Sequence, residues 1–163
     1  MNEIERQLAG GLHSGLLDRR IPSPEGMRPR LVLNDRLGRR RGADVLNTHL
    51  RECSSFSFSV AFLTKGGLAT LLQALLECGR RRVKGRILTS DYLNFTDPRA
   101  VGFIFHELAP TIEVRVYTAE AFHTKGYLFE HAGRPTTLII GSSNITQDAL
   151  LRNHEWNLQV AGT

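Results

Sequence analysis

The sequence predicts an α/β fold: a mixed, mostly parallel sheet flanked by helices on both faces. Between residues 56 and 117, segments of period two alternate with segments of helical period, the pattern of strands joined by crossover helices. Residues 137–140 form a nearly unbroken apolar run, as a buried central strand should. A content of 41% apolar and 23% charged residues over 163 positions is the balance of one globular domain with a real core.

Taken in order, Ile4, Leu8, Leu12 and Leu16 lie at helical spacing, but Gly10, Gly11 and Gly15 weaken that helix, so it needs a partner surface. Pro22, Pro24, Gly26 and Pro29 predict a loop, and residues 39–42 mark a break before a short helix over 44–52. The chain is expected to divide into an N-terminal helix with a Pro/Arg-rich loop (1–42) and an α/β domain (43–163). "FSFSVAFL" (56–63) alternates aromatics with serines and reads as a strand; Leu68, Leu71, Leu72, Leu75 and Leu76 then form a helical stripe ended by Gly79. "RVKGRILTS" (82–90) is the next strand. A helix starts at about Asp97 with Pro98 in its first turn and ends before Pro110, and "IEVRVY" (112–117) returns to period two. Residues 122–130 and 136–141 read as neighbouring strands joined through "HAGRP", a hairpin. A helix over 146–152 leads into a last strand, "EWNLQV". There is no internal repeat and no low-complexity block.

The apolar run 68–76 is interrupted and far short of the roughly 20 residues of a membrane span. The first ten residues carry acids and no apolar signal core, so a cytoplasmic protein that does not engage a membrane is expected. Cys53 and Cys78 have no metal-ligand spacing and read as reduced, buried thiols; no metal or cofactor is expected. The net charge is +5, and 18 of the 21 basic residues are arginines, a choice suited to bidentate phosphate contacts. Arg39, Arg40 and Arg41 form one cluster; Arg80, Arg81 and Arg82 with Lys84 and Arg86 form another. The second cluster reads equally as a nucleic-acid surface or as a solvated helix end.

The stretch 121–144, "AFHTKGYLFEHAGRPTTLIIGSSN", carries the chemistry. Alternation in an extended strand puts His123, Lys125, Tyr127 and Phe129 on one face and Thr124, Leu128 and Glu130 on the other. Gly141 permits a tight turn or close approach to a ligand, and Ser142, Ser143 and Asn144 meet a helix start whose free N–H groups favour an anion. Two donors from one strand and a donor turn from the next make a tetrahedral oxyanion site. Asn144 with Gln147 also reads as a capping box. His13, His49, His106, His131 and His154 lack such partners and read as structural.

"HTK" followed by "GSSN" resembles the His-x-Lys and Gly-Ser-x-Asn signature of the phospholipase D superfamily. The resemblance implies that His123 is a nucleophile, that Lys125 and Asn144 hold the non-bridging phosphate oxygens, and that Ser142 supports the pocket, with Gly141 and Ser143 beside it. It implies that Glu155, on the last strand, orients the histidine. The longer pattern has Asp where this chain has Glu130, which strand parity assigns to the opposite face. More widely, "RPRLVLN", "SFSFSVAFLTKGGLATL", "SDYLNFTDPRAV", "HTKGYLF" and "GSSNITQDALLRNHEWN" resemble the phospholipase-D-like domain at the N-terminus of bacterial superfamily II helicase-like proteins, implying a piece of a larger protein, with a stand-alone relative as the alternative.

The reaction so implied is metal-independent phosphodiester cleavage through a phosphohistidine, with DNA as substrate and RNA as the alternative. One motif supplies one histidine, so a homodimer sharing one active site is expected, with Tyr127 and Trp156 as aromatic contacts. An idle nucleic-acid-binding module is the second reading. A lipid phosphodiesterase is disfavoured, since no amphipathic membrane-binding segment is evident.

Overall fold

The computed structural model describes residues 28–34 and 41–162. The expected helix over 2–20, His13, Arg39, Arg40 and the loop at Pro22, Pro24 and Gly26 lie outside the described residues.

One sheet of seven strands organises the molecule: β1 (Arg30–Val32), β2 (Ser55–Val60), β3 (Lys84–Ser90), β4 (Ile112–Tyr117), β5 (Lys125–His131), β6 (Arg134–Gly141) and β7 (Asn157–Gly162). Their order is β1-β7-β6-β5-β2-β3-β4. The helices among the described residues are α1 (Gly42–Glu52), α2 (Lys65–Arg80), α3 (Pro98–Glu107) and α4 (Gln147–Leu151), with a 3-10 turn at Tyr92–Asn94.

Local chemistry accounts for most of these. In β2 the aromatic and serine positions separate cleanly: Phe56, Phe58 and Val60 are buried, while Ser55, Ser57 and Ser59 face the other way. Thr64 caps α2 by accepting from the Gly67 N–H at 3.1 Å. Gly67 has no room for a side chain, because a Cβ there would sit 2.0 Å from the Ile145 carbonyl oxygen. Asp97 caps α3 by accepting from the Arg99 N–H at 2.9 Å, with Pro98 in the first turn. The β5–β6 hairpin turns at Gly133, whose φ of +68° is the left-handed conformation glycine adopts freely.

Two expectations are corrected. The sheet is mixed but not mostly parallel: β2 pairs in parallel with β3 and β3 with β4, while β1–β7, β2–β5, β5–β6 and β6–β7 are antiparallel. Only the β2-α2-β3-α3-β4 stretch obeys the parallel reading; the chain then returns to the other side of β2. Nor do helices flank both faces among the described residues. Consecutive crossovers stepping the same way across the sheet put α2 and α3 on one face, and α1 and α4 pack against α2 there. Phe56, Phe58, Ile87, Tyr127, Phe129 and Ile139 meet those helices in a single apolar cluster. The opposite face carries Arg86 and Glu130 and leaves Ile140 52% exposed.

Smaller differences have equally local causes. β1 is a strand in a stretch read as loop; it pairs with β7 and is anchored by buried Asn34, which accepts from Gly42 N–H and donates to the carbonyls of Ala149 and Asn153, each at 2.8 Å. Gly79 does not end α2: the helix continues to Arg80, and Arg82, not a glycine, takes the left-handed conformation at φ 59°. The Arg81 guanidinium donates to the carbonyls of Leu50 and Cys53, bolting the ends of α1 and α2 together. Cys53 and Cys78 are buried free thiols that share the Leu50 carbonyl.

Candidate active site

Strand direction brings the motif residues to one edge. Because β5 is antiparallel to β2 and to β6, the carboxyl ends of β2, β3 and β6 meet the starts of β5 and β7. The chain steps from β2 to β3 on one side and places β5 on the other, so this edge has a topological switch point, where open sheets form a crevice. The connection from β4 to β5 crosses this edge. It is tied down by Ser90 Oγ donating to the Phe122 carbonyl at 3.4 Å and Ala61 N–H donating to the Thr124 carbonyl at 3.0 Å. His123 lies on that crossing, exposed, two residues before β5 begins.

Phe62 is the common neighbour of the site. Its ring lies 5.7 Å from the His123 ring, edge to face, and 5.9 Å from the Lys125 ammonium; its N–H donates to Asn144 Oδ1 at 3.0 Å. The segments beyond β2 and β6 run side by side, with an isolated parallel bridge between Leu63 and Ile145, which sets Asn144 beside Phe62. Lys125 is 8% exposed and donates to the His123 carbonyl at 2.8 Å. Burial holds its ammonium below the usual amine range, and the Glu155 carboxylate opposes that shift. Tyr92 and Phe95 extend the aromatic wall, packing on Phe62 at 6.5 and 5.0 Å.

The Gly-Ser-Ser-Asn turn is built by β7. Ser142 N–H donates to the Trp156 carbonyl and Trp156 N–H donates to Ser142 Oγ, both at 3.0 Å. Ser142 Oγ also donates to Glu155. Ser143 points the other way, 3% exposed, with its N–H donating to Asn157 Oδ1 at 3.2 Å and its Oγ accepting from Asn157 Nδ2 at 2.9 Å. The fully buried Tyr127 hydroxyl donates to the Ser143 carbonyl at 2.8 Å; burial, with Glu155 second, pushes that phenol well above its usual range.

A family model described as cardiolipin synthase, PLD-like domain, fits residues 52–163. The chain belongs to the phospholipase D-like family. No curated protein sequence matches it. Among solved structures the chain resembles NucT from Helicobacter pylori at 16% identity and TM-score 0.61, covering 82% of this chain and 84% of that one. It resembles Nuc, a phospholipase D family member from Salmonella typhimurium, at 16% identity and TM-score 0.61 over 83% and 85% of the two chains. Yeast tyrosyl-DNA phosphodiesterase is similar at 13% identity and TM-score 0.54, over 80% of this chain and 31% of that one. At these identities the likeness is one of fold.

Within this phospholipase D-like domain, His123, Lys125, Asn144, Ser142 and Glu155 come together at one edge. Other expected members do not. Ser143 faces the interior, because Ser142 already occupies the outward position of the turn. The close approach that Gly141 permits is to the β7 backbone: a Cβ would lie 2.1 Å from the Trp156 carbonyl oxygen. The cap of α4 is Thr146, accepting from Ala149 N–H, so the Asn144–Gln147 box is not formed and Asn144 instead holds Phe62. Glu155 precedes the last strand rather than lying on it, and its carboxylate is engaged by Ser142. Tyr127 is buried and unable to meet a partner. Glu130 lies on the opposite face as parity required, bonded to Ser55.

Arg80, Arg81, Arg82 and Lys84 sit at the start of β3, the end of the sheet away from His123. Arg81 is the structural bolt described above, and Lys84 donates to the Pro110 carbonyl at 3.2 Å. Phe62, Tyr92 and Asn157 were not singled out in the sequence. The only signal for them was position: Phe62 lies just beyond the strand that abuts the motif strand, and Asn157 directly follows Glu155 and Trp156. Among the described residues no helix is long and apolar enough to cross a membrane, and no group of three His, Cys, Asp or Glu side chains is placed to hold a metal ion.

Proposed function

We propose that this domain is a metal-independent phosphodiesterase acting on DNA through a phosphohistidine, within a larger helicase-like or restriction/repair protein. The observation that supports this best is the grouping of the exposed His123 imidazole, the desolvated Lys125 ammonium and Asn144 around Phe62. A phosphate in that crevice takes charge stabilisation from Lys125 and the Asn144 amide, in a site dry enough to make both effective. An unprotonated nitrogen of His123 attacks phosphorus, a P–N bond forms, the P–O bond to the leaving group breaks, and a protonated histidine donates to the departing oxygen. Water then cleaves the P–N bond with the two histidines exchanging roles. The second histidine comes from another copy of the chain in a two-fold dimer that shares one site.

DNA as substrate is supported by the arginine-rich composition and by the aromatic rim for stacking bases, in which Phe95 and Trp156 are 59% and 73% exposed. The idle-module reading has its own support: among the described residues, ring contacts with Phe62 and Tyr92, and no hydrogen bond, hold the His123 imidazole.

The deciding experiment incubates the chain with labelled single- and double-stranded DNA in chelator, traps the reaction in acid-free quench and maps phosphate on His123, with His123→Ala as control and mass measured in solution. Cleavage that survives chelator, is lost in the variant and tracks the dimer is expected. Cleavage that requires added magnesium, or full activity from a strict monomer, removes the mechanism; a monomer that binds DNA and never cuts it selects the idle module.

A further inference from the structure

The end of the sheet remote from His123 holds a second cluster of basic side chains. β5 ends at His131, and the last turn of α1 sets His49 above it, ring centroids 5.6 Å apart. The His49 ring stacks on Phe129 at 5.0 Å, and its Nε2 lies 3.4 Å from Gln159 Oε1, a long and weak bond. In both rings Nδ1 is buried and has no hydrogen-bond partner. The two rings border a cavity of about 270 Å³ whose wall also includes Arg28, Arg30, Arg134 and Glu52. Glu52 pairs with Arg134 at 3.0 Å.

Two unmatched imidazole nitrogens are costly as a structural end in themselves, since a buried polar atom without a partner gives up its hydrogen bonds to water. Arg30 and Arg134 face one carboxylate, Glu52, which leaves a positive balance at the cavity. A divalent cation is disfavoured there and finds, among the described residues, only the two histidines and an already paired carboxylate as ligands. A tetrahedral anion meets the opposite circumstances: guanidinium forks match its oxygens, and a proton on either imidazole gains an acceptor once the ring turns about χ2.

We propose that this cavity is a phosphate-binding site, separate from the His123 site, in which Arg30, Arg134, His49 and His131 hold the oxygens. Lys125 and His131 are the two ends of β5, so the sites are about 20 Å apart along the strand. The phosphate is either free inorganic phosphate or the terminal group of a nucleic-acid strand, and the two sources share the same chemistry. Binding is linked to protons. Burial holds His49 below the usual histidine range, with His131 and Arg134 acting the same way and Gln159 and Glu52 opposing. An anion in the cavity favours the charged ring, so binding takes up a proton and affinity rises as pH falls towards the depressed value of His49.

The test follows the imidazole signals of the full-length chain by NMR during titration with inorganic phosphate, at about pH 6 and about pH 8. A parallel arm uses a dinucleotide with and without a 5′-phosphate. Saturable shifts of the His49 and His131 signals, tighter at the lower pH and unchanged in His123→Ala, are expected. Arg134→Gln, at an exposed position, should weaken binding at least about tenfold while leaving the His106 and His154 signals in place as the measure of folding. If only the dinucleotide bearing the phosphate shifts the rings, the source is a strand end; if inorganic phosphate alone does so, the source is free phosphate. Rings that stay still with every phosphate probe, shifts that vanish in His123→Ala, or affinity untouched by Arg134→Gln each overturn the proposal, as does a response to zinc in place of phosphate.

Discussion

The Lys125 ammonium donates to the main-chain carbonyl of His123, two residues behind it, at 2.8 Å. The cation proposed to hold phosphate is thus parked on the backbone that carries the proposed nucleophile, largely out of water and short of a direct ion pair. A charge kept in that setting is unfavourable for the fold.

Lys125→Met should therefore stabilise the domain, by about 1 kcal/mol, as removal of an incompletely paired buried charge does, while abolishing turnover and weakening phosphate binding. Because the unfolded chain keeps this proton to higher pH than the folded one, wild-type stability should approach that of the variant as pH rises towards the ordinary value of 10.5. Thermal melts of both proteins across alkaline pH measure this. A lower melting temperature for the variant would mean that the bond to His123 outweighs desolvation.

At the acid end, His49 sets a slope of the same sign. Its folded value lies below the ordinary 6.5, so the unfolded chain binds the proton first and stability is lost as pH falls from about 7 through the depressed value. Urea titrations at several pH values should show this loss in wild type and a flatter profile in His49→Gln. Equal slopes in the two proteins would assign the acid sensitivity elsewhere.

The turn that aims Ser142 is held from behind. Tyr127→Phe leaves the buried Ser143 carbonyl without its donor and should cost about 1–3 kcal/mol. Asn157→Ala, which frees Ser143 and the Val32 carbonyl together, should cost more and lower kcat more than KM. A kcat unchanged in both variants would show that the turn is positioned by the β6–β7 ladder alone.

Within the arginine run the three residues should behave differently. Arg81→Ala removes two backbone contacts and should destabilise by about 1–3 kcal/mol, whereas Arg82→Gly relieves a left-handed conformation and should stabilise by about 0.5–1 kcal/mol. Salt dependence of DNA binding in an Arg80→Ser/Arg82→Gly pair separates surface from scaffold: a slope reduced by about 0.9 per lost phosphate contact marks the cluster as a DNA surface, and an unchanged slope marks a solvated helix end.

Phe95→Ala and Trp156→Ala should each weaken binding of single-stranded DNA by about 1–3 kcal/mol, the range for base stacking, with little effect on melting temperature, since both rings are exposed. Undiminished affinity in the double variant would make the rim a contact for protein instead of bases.

The sequence by itself determined the elements and the motif. Phe-Ser alternation, the leucine stripe at 68–76, Asp97 with Pro98 and the "HAGRP" turn act within a few residues, so β2, α2, α3 and the β5–β6 hairpin were legible, as was the alternation that sends Glu130 away from Lys125. The direction and order of the strands were not, because the short crossing from β4 to β5 gives no local sign that it carries the chain back past β2 and reverses it. That reversal is what joins His123 to Phe62 and Asn144. The split between Ser142 and Ser143, the cap at Thr146 and the role of Gly141 depend on the backbone of β7, which arrives from a distant part of the chain. His49 and His131, unremarkable in sequence, meet only because α1 lies across the end of β5. Periodicity records which face of its own element a residue takes, and only tertiary packing decides what stands opposite.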